Sequence, residues 1–187
     1  MLKLAGLSGS LRKDSYNTAL LRAAAAVMPD GAELSVHTIH GIPLYNADTE
    51  TADGIPPAVN DLKTAIAAAD GLLMATPEYN SSIPGVLKNA VDWLSRPPAD
   101  TRKVFGGKPV AILGASPGGF GTILSQNAWL PVLRSLGTAP WFQGRLLVSR
   151  AGSVFDESGN IVDPKLREQL TQFVAGFVAF VGATRSG

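Results

Sequence analysis

The 187-residue chain contains no cysteine. That one absence excludes disulfides, thiolate nucleophiles and cysteine-ligated metal. Histidine is scarce: His37 and His40 stand alone, which argues against a metal centre. Charge is sparse and nearly balanced, with a formal net charge of +1, so no nucleic-acid or membrane partner is proposed by it. No run reaches the ~18 uninterrupted apolar residues of a membrane span. The opening "MLKLAGLSGS" turns polar too early for a signal peptide. The expectation is a cytoplasmic protein.

What is present suits a compact fold. Apolar residues make up 45% of the chain, and a chain of this length buries roughly 70% of its unfolded surface, which favours one domain over residues 1–187. Acidic residues concentrate between Asp48 and Glu78 and basic ones between Lys88 and Arg150. That asymmetry reads first as differently charged solvated faces, and alternatively as a positive rim that attracts anionic substrates.

Short apolar segments alternate with helical patterns. Strands are expected at 2–7, 33–39, 72–76, 110–115 and 146–148. Helices are expected at 17–28, 58–69, after Pro84, at 122–136 and after the Asp163 cap, while 41–57 and 96–108 read as connections. The alternation implies an α/β fold with a mainly parallel sheet. In such sheets a ligand sits beyond the carboxyl ends of the strands, where strand order reverses.

Three loops leave those ends. The first, 8–17, has Ser10, Ser15 and Asn17 as donors, Arg12 as a charged fork and the free amides of a helix start, the ingredients of a phosphate cradle. Capping by Ser15 or Asp14 explains part of it and leaves Arg12 unexplained. The second, "PEYN" (Pro77–Asn80), offers an aromatic face and an amide to a flat ring, or serves as turn chemistry. The third, "SPGGFG" (Ser116–Gly121), allows close backbone approach or is a flexible turn.

Rival motifs fail. "GASPG" (Gly114–Gly118) matches a nucleophile elbow, yet both histidines precede Ser116 and Pro117 has no N–H for an oxyanion hole. "GLSGS" does not match the dinucleotide fingerprint, and "GGKP" lacks the Ser/Thr of a Walker loop. A mononucleotide phosphate remains.

"GSLRKDSYN" (Gly9–Asn17), "TPEYNSSIPGVLKNAVDWLSRP" (Thr76–Pro97) and "GKPVAILGAS" (Gly107–Ser116) together resemble the NADPH-dependent FMN reductase family. The likeness is to its quinone and chromate reductase, azoreductase-related branch, over residues 3–180. The resemblance implies a flavodoxin-like three-layer sandwich, a five-stranded parallel sheet in the order 2-1-3-4-5 with helices on both faces. It also implies non-covalent FMN, NADPH or NADH as donor, and a homodimer or homotetramer. Ser10, Arg12, Ser15, Tyr16 (mainly through its backbone) and Asn17 would hold the phosphate. Pro77, Glu78, Tyr79 and Asn80 would lie against the isoalloxazine and ribityl, and the loop from Ser116, with Gly118 and Gly119, would close the other side. Many relatives have Gly where this chain has Asp14, an acid that must point outward or cap the helix.

No side chain is expected to act in catalysis, because the chemistry belongs to flavin N5. The implied activity passes electrons from a nicotinamide through FMN to quinones, chromate or similar small acceptors with ping-pong kinetics. The competing reading is a flavodoxin-type carrier without NAD(P)H activity, which the balanced charge disfavours. Trp93, outside the apolar stripe of its helix, and Arg96 hint at association between subunits.

Overall fold

The computed structural model describes residues 1–185. Its elements, in chain order, are β1 (Leu2–Ser8), α1 (Tyr16–Ala26), β2 (Ala32–Thr38), α2 (Ala47–Asp53), α3 (Pro57–Ala68), β3 (Gly71–Ala75), α4 (Gly85–Leu94), α5 (Thr101–Phe105), β4 (Pro109–Ala115), α6 (Ile123–Ser135), β5 (Ala139–Pro140), β6 (Leu146–Val148) and α7 (Pro164–Arg185). The strands form one parallel sheet in the order β2-β1-β3-β4-β5, with β6 also on β4. This is the flavodoxin-like order, with one correction: the sheet has six strands where five were expected. The fifth place is shared. β5 pairs with β4 at Pro109 and Val110, and β6 pairs with it at Leu113–Ala115. Pro140 has no N–H to carry a ladder onward, so the chain leaves the sheet there and returns at Leu146.

Strand residues alternate between two cores, as a period of two requires. Leu4, Leu73 and Leu113 face α1 and α7, where Leu20, Leu21, Phe173 and Phe177 complete one cluster. Ala5, Leu7, Leu72 and Met74 face α3, α4, α5 and α6, where Ile66, Leu87, Phe105 and Trp129 complete the other. Asp163 caps α7, its Oδ1 accepting from Lys165 N (2.8 Å) and Leu166 N (3.3 Å).

Trp93 does not serve association. Its side chain is wholly buried within the chain; Nε1 donates to Pro43 O (2.9 Å) and its ring meets Tyr45 edge-on at 5.0 Å. Asn89 accepts from Tyr45 N and donates to Pro43 O, both at 2.8 Å. The Arg96 guanidinium lies 5.1 Å from the Tyr45 ring centre. These contacts fasten the connection before α2 onto α4, and their sequence signal, "PLYN" ahead of an acidic stretch, looks like loop alone. Among the described residues no helix is long and apolar enough to cross a membrane.

Candidate functional site

β1, β3 and β4 lie side by side and stop at nearly the same level, with Ser8 opposite Ala75 and Ala75 opposite Leu113. The three polar loops therefore leave one edge of the sheet together.

Gly9 lets the first loop lie down on the second. A Cβ there would come within 2.5 Å of Leu87 Cδ2 and 3.0 Å of Pro77 Cδ and Ala75 O, whereas the bare backbone donates from Gly9 N to Ala75 O at 2.9 Å. Ser10 is buried, and its Oγ accepts from Arg12 N (3.2 Å). Ser15 is the N-cap of α1: its Oγ accepts from Thr18 N (3.3 Å) and its carbonyl from Ala19 N (2.9 Å). The amides of Tyr16 and Asn17, in the first turn, have no intrahelical acceptor and point out of the positive end of the helix. The Tyr16 ring turns away and stacks on Phe155 (5.7 Å). Arg12 and Asp14 are exposed, and with Ser15 as the cap the Asp14 carboxylate is left to solvent.

Asn17 is engaged within the protein. Its Nδ2 donates to Ala115 O and its Oδ1 accepts from Ala115 N, both at 3.0 Å and both buried. The side chain thus fastens the start of α1 to the end of β4.

Thr76, fully buried at the start of the second loop, is a hub the sequence reading missed. Its hydroxyl donates to Pro77 O (2.9 Å) and accepts from Trp129 Nε1 (3.0 Å). The single hydroxyl proton being used, Ser125 Oγ at 2.8 Å is a donor to it. Ser125 and Trp129 are four apart on α6, one face of a helix, which was the available signal. Glu78 Oε2 accepts from Leu124 N (2.8 Å) and Ser125 N (3.0 Å), so its carboxylate caps α6, whose own Thr122 makes no side-chain cap. Tyr79 and Ser82 exchange backbone hydrogen bonds around Asn80 and Ser81, whose φ values are +48° and +61°. That is the signature of a type I′ turn, held open by residues other than glycine. It leaves Tyr79 and Asn80 exposed beside the cleft.

The third loop is fixed at its ends and bare in the middle. Ser116 N donates to Val148 O (2.9 Å) and Ser116 Oγ to Gly121 O (2.5 Å), so this hydroxyl is no free nucleophile. Arg150, left-handed at φ +48°, donates from its amide to Gly118 O (2.9 Å). A Cβ on Gly119 would meet nothing within 4 Å, and one on Gly118 only Ser116 Oγ at 3.9 Å. Their backbone is open to a guest. Phe120 beside them is 80% exposed.

The residues singled out in the sequence for cofactor binding therefore lie on or beside these three adjoining loops. Asn17, Glu78 and Ser116 direct their side chains into the protein and support the cleft from behind. The first loop brings free amides and Arg12 to this sheet edge, and the other two bring Pro77, Tyr79, Asn80, Gly118 and Gly119 to it. Of the carboxylates on these loops, Glu78 caps α6 and Asp14 is exposed. This donor set fits a phosphate joined to a flat ring, which is the chemistry of FMN. Groups with displaced proton affinity belong to structural contacts elsewhere. Burial lowers the pKa of Lys108, whose ammonium donates to Ala69 O at the end of α3. A hydrogen bond from Lys63 (2.6 Å) lowers that of Asp100.

Known proteins resemble this arrangement. Residues 2–152 match the family model for NADPH-dependent FMN reductase. An NAD(P)H-dependent FMN reductase of Pseudomonas aeruginosa is 48% identical over 171 residues, covering 91% of this chain and 90% of that protein. A 2-hydroxy-1,4-benzoquinone reductase of a Burkholderia species is 41% identical over 96% of each. Among solved structures, the flavoenzyme NAD(P)H:(acceptor) oxidoreductase FerB of Paracoccus denitrificans superposes with a TM-score of 0.86 at 33% identity, covering 98% of this chain and 99% of that one. The chain belongs to the NADPH-dependent FMN reductase family.

Proposed function

We propose that residues 1–187 act as one FMN-binding domain, an NAD(P)H-dependent oxidoreductase of the cytoplasm that reduces quinones, chromate or similar small acceptors and assembles as a homodimer or homotetramer. Bound FMN would supply hydride acceptance at N5 and onward delivery of electrons. The chain's own residues bind and orient. The Tyr16 and Asn17 amides, Arg12 and Ser10 hold the phosphate, and Ser15 keeps the first turn of α1 in register for it. Pro77, Glu78, Tyr79 and Asn80 border the ring on one side, Ser116, Gly118 and Gly119 on the other. Donor and acceptor enter by the same opening, which gives ping-pong kinetics.

The observation that carries this reading is a helix start with two free amides on a loop that leaves the same sheet edge as a loop of bare glycine backbone. Purified protein should carry or take up FMN, and the flavin absorbance should bleach when NADPH or NADH is added without air. Failure to take up FMN defeats the reading. Bound flavin that neither donor reduces makes the chain a flavodoxin-type carrier. Arg12→Ala combined with Ser15→Ala should lower FMN retention while the fold survives; a double variant that still purifies fully yellow places the phosphate elsewhere.

A further inference from the structure

Beside the phosphate loop, on the outer flank of α1, lies a cavity of about 630 Å³. It runs between α1, the 156–161 turn and the first turns of α7. Neither the Pro77–Ser82 loop nor the Ser116–Gly121 loop lines it, whereas the Arg12–Tyr16 segment of the first loop does. Its size falls within the roughly 300–1,000 Å³ of small-molecule sites.

Its chemistry is specific. Arg12, Lys13, Arg22 and Arg167 line it, and among the described residues none of them takes part in a salt bridge, those found being Lys63–Asp100, Lys88–Asp92 and Arg185–Asp70. Of the acids in the wall, Asp156 is folded into its own turn, accepting from Asn160 N (2.7 Å) and Asn160 Nδ2 (3.0 Å). Asp14 and Glu157 are exposed at the rim. The floor is smooth: Ala19, Ala23 and Ala26 follow one another at helical spacing on one side of α1. The 156–161 turn packs so closely here that a Cβ on Gly159 would stand 3.2 Å from Ala19 Cβ. A slot floored by alanines and edged by guanidinium and ammonium groups without a carboxylate partner, of which Arg167 donates to Ile161 O (2.8 Å), suits a planar base carrying a phosphate on its sugar.

We propose that this cavity receives the phosphorylated adenosine half of NADPH and so makes the chain favour NADPH over NADH. The inference rests on the NAD(P)H-dependent reading above. A nicotinamide that reaches the flavin opening trails a second nucleotide, which must lie within reach of that opening. The cavity begins at the phosphate loop and follows α1 from Tyr16 to Ala26, about 15 Å at 1.5 Å per residue. NADPH differs from NADH by one phosphate on the adenosine ribose, and Arg22 and Lys13 are the cations here that neither the FMN phosphate nor a backbone carbonyl engages.

The test uses the FMN-loaded protein and two probes, adenosine 2′,5′-bisphosphate and adenosine 5′-monophosphate, followed by calorimetry. The bisphosphate should bind at least about tenfold more tightly, the value of one charge-assisted hydrogen bond, and should compete with NADPH. Arg22→Glu, and separately Lys13→Glu, should weaken bisphosphate binding and raise KM for NADPH by a similar factor. KM for NADH, flavin content and thermal midpoint should stay as in the unmodified protein. If Arg22→Glu lowers the midpoint, Arg22→Ala takes its place. Equal binding of the two probes, bisphosphate binding insensitive to both positions, or equal changes in KM for the two donors would each overturn the proposal. A protein that oxidises neither donor defeats the NAD(P)H reading instead, and the calorimetry still decides whether the cavity takes a 2′-phosphate.

Discussion

Asn17→Ala should destabilise the protein even when no flavin is bound. The Asn17 side chain satisfies both backbone groups of Ala115, at 3.0 Å each, in a place where Asn17 is 4% exposed and Ala115 3%. Alanine leaves a buried N–H and a buried C=O without partners, each about 1–3 kcal/mol. Its better helix propensity returns no more than about 0.7 kcal/mol, and a water admitted to the vacated space brings the loss toward the lower end. The net is about 2–4 kcal/mol, and at about 2–4 °C per kcal/mol for a chain of this size the flavin-free protein should melt roughly 5–15 °C lower. Asn17→Asp keeps the acceptor but turns a second oxygen on Ala115 O, so it should be at least as damaging. Thermal unfolding of the flavin-free protein, followed by near-ultraviolet circular dichroism, measures this directly. A flavin-free midpoint that does not move, together with a loss of FMN affinity, would show that Asn17 acts on the phosphate and not on β4.

Glu78→Ala removes the two amide partners at the start of α6 and a charge placed favourably at its positive end, together about 1–3 kcal/mol; urea unfolding should show the midpoint fall, flavin retention should fall with it, and Glu78→Gln should recover part of both. Gly114→Ala would set a Cβ 2.0 Å from Thr122 Oγ1 and 2.4 Å from Thr76 O, and because the second is backbone the loss should exceed about 3 kcal/mol, visible as poor soluble yield and a lowered melting midpoint. The Asp100 carboxyl is held below its usual range first by the hydrogen bond from Lys63 and then by its charge, so the folded form releases the proton more readily than the unfolded chain does. This contribution is complete above the ordinary carboxylate pKa and fades as pH falls through the lower folded value, that is, below about pH 4. In Lys63→Met the Asp100 titration followed by NMR should move up to the ordinary range, and an unmoved titration would refute the pairing.

Those elements that announced themselves in the sequence are the ones whose side chains are chosen by burial. Leu2 to Leu7, Leu72 to Thr76 and the Leu166–Val181 pattern each face a core, and their periodicity follows. α2 escaped notice because none of its residues is buried; a helix made of Ala-Asp-Thr-Glu and held by the Asn46 cap (2.9 Å to Asp48 N) carries no apolar stripe to read. α5 is five residues long, too short for periodicity to register, and β5 is two residues ended by a proline. That three polar loops would leave one sheet edge together was legible, because strand ends and polar loops are visible in sequence. The division of labour among them was not. Asn17 and Glu78 look like ligand residues for their chemistry, and only the packing reveals that Ala115 and the α6 amides, distant in the chain, already claim them. Trp93 misled for the opposite reason: it lies off the apolar stripe of α4, and its partners Pro43 and Tyr45 come from a loop with no pattern of its own.

The cross-ties behind the cleft divide the site into parts with different freedom to vary. Asn17 joins α1 to β4, Glu78 and Thr76 join the second loop to α6, and Arg150 holds the third. Most of these ties end on backbone groups, Ala115 N and O, Leu124 N, Ser125 N and Gly118 O, so the tying side chain is constrained whatever residue stands opposite, while the Thr76 hub with Ser125 and Trp129 ties side chain to side chain. At the tips Leu11 is tied only through its carbonyl, which accepts from His40 Nε2 (3.1 Å), and Leu11, Tyr79 and Phe120 are each at least 44% exposed. Substitutions there can reshape what reaches the opening without disturbing the frame that holds a cofactor. A lineage built on this plan can therefore acquire new acceptors by drift at three surface positions, and a laboratory library confined to them is the economical place to look for altered substrate range.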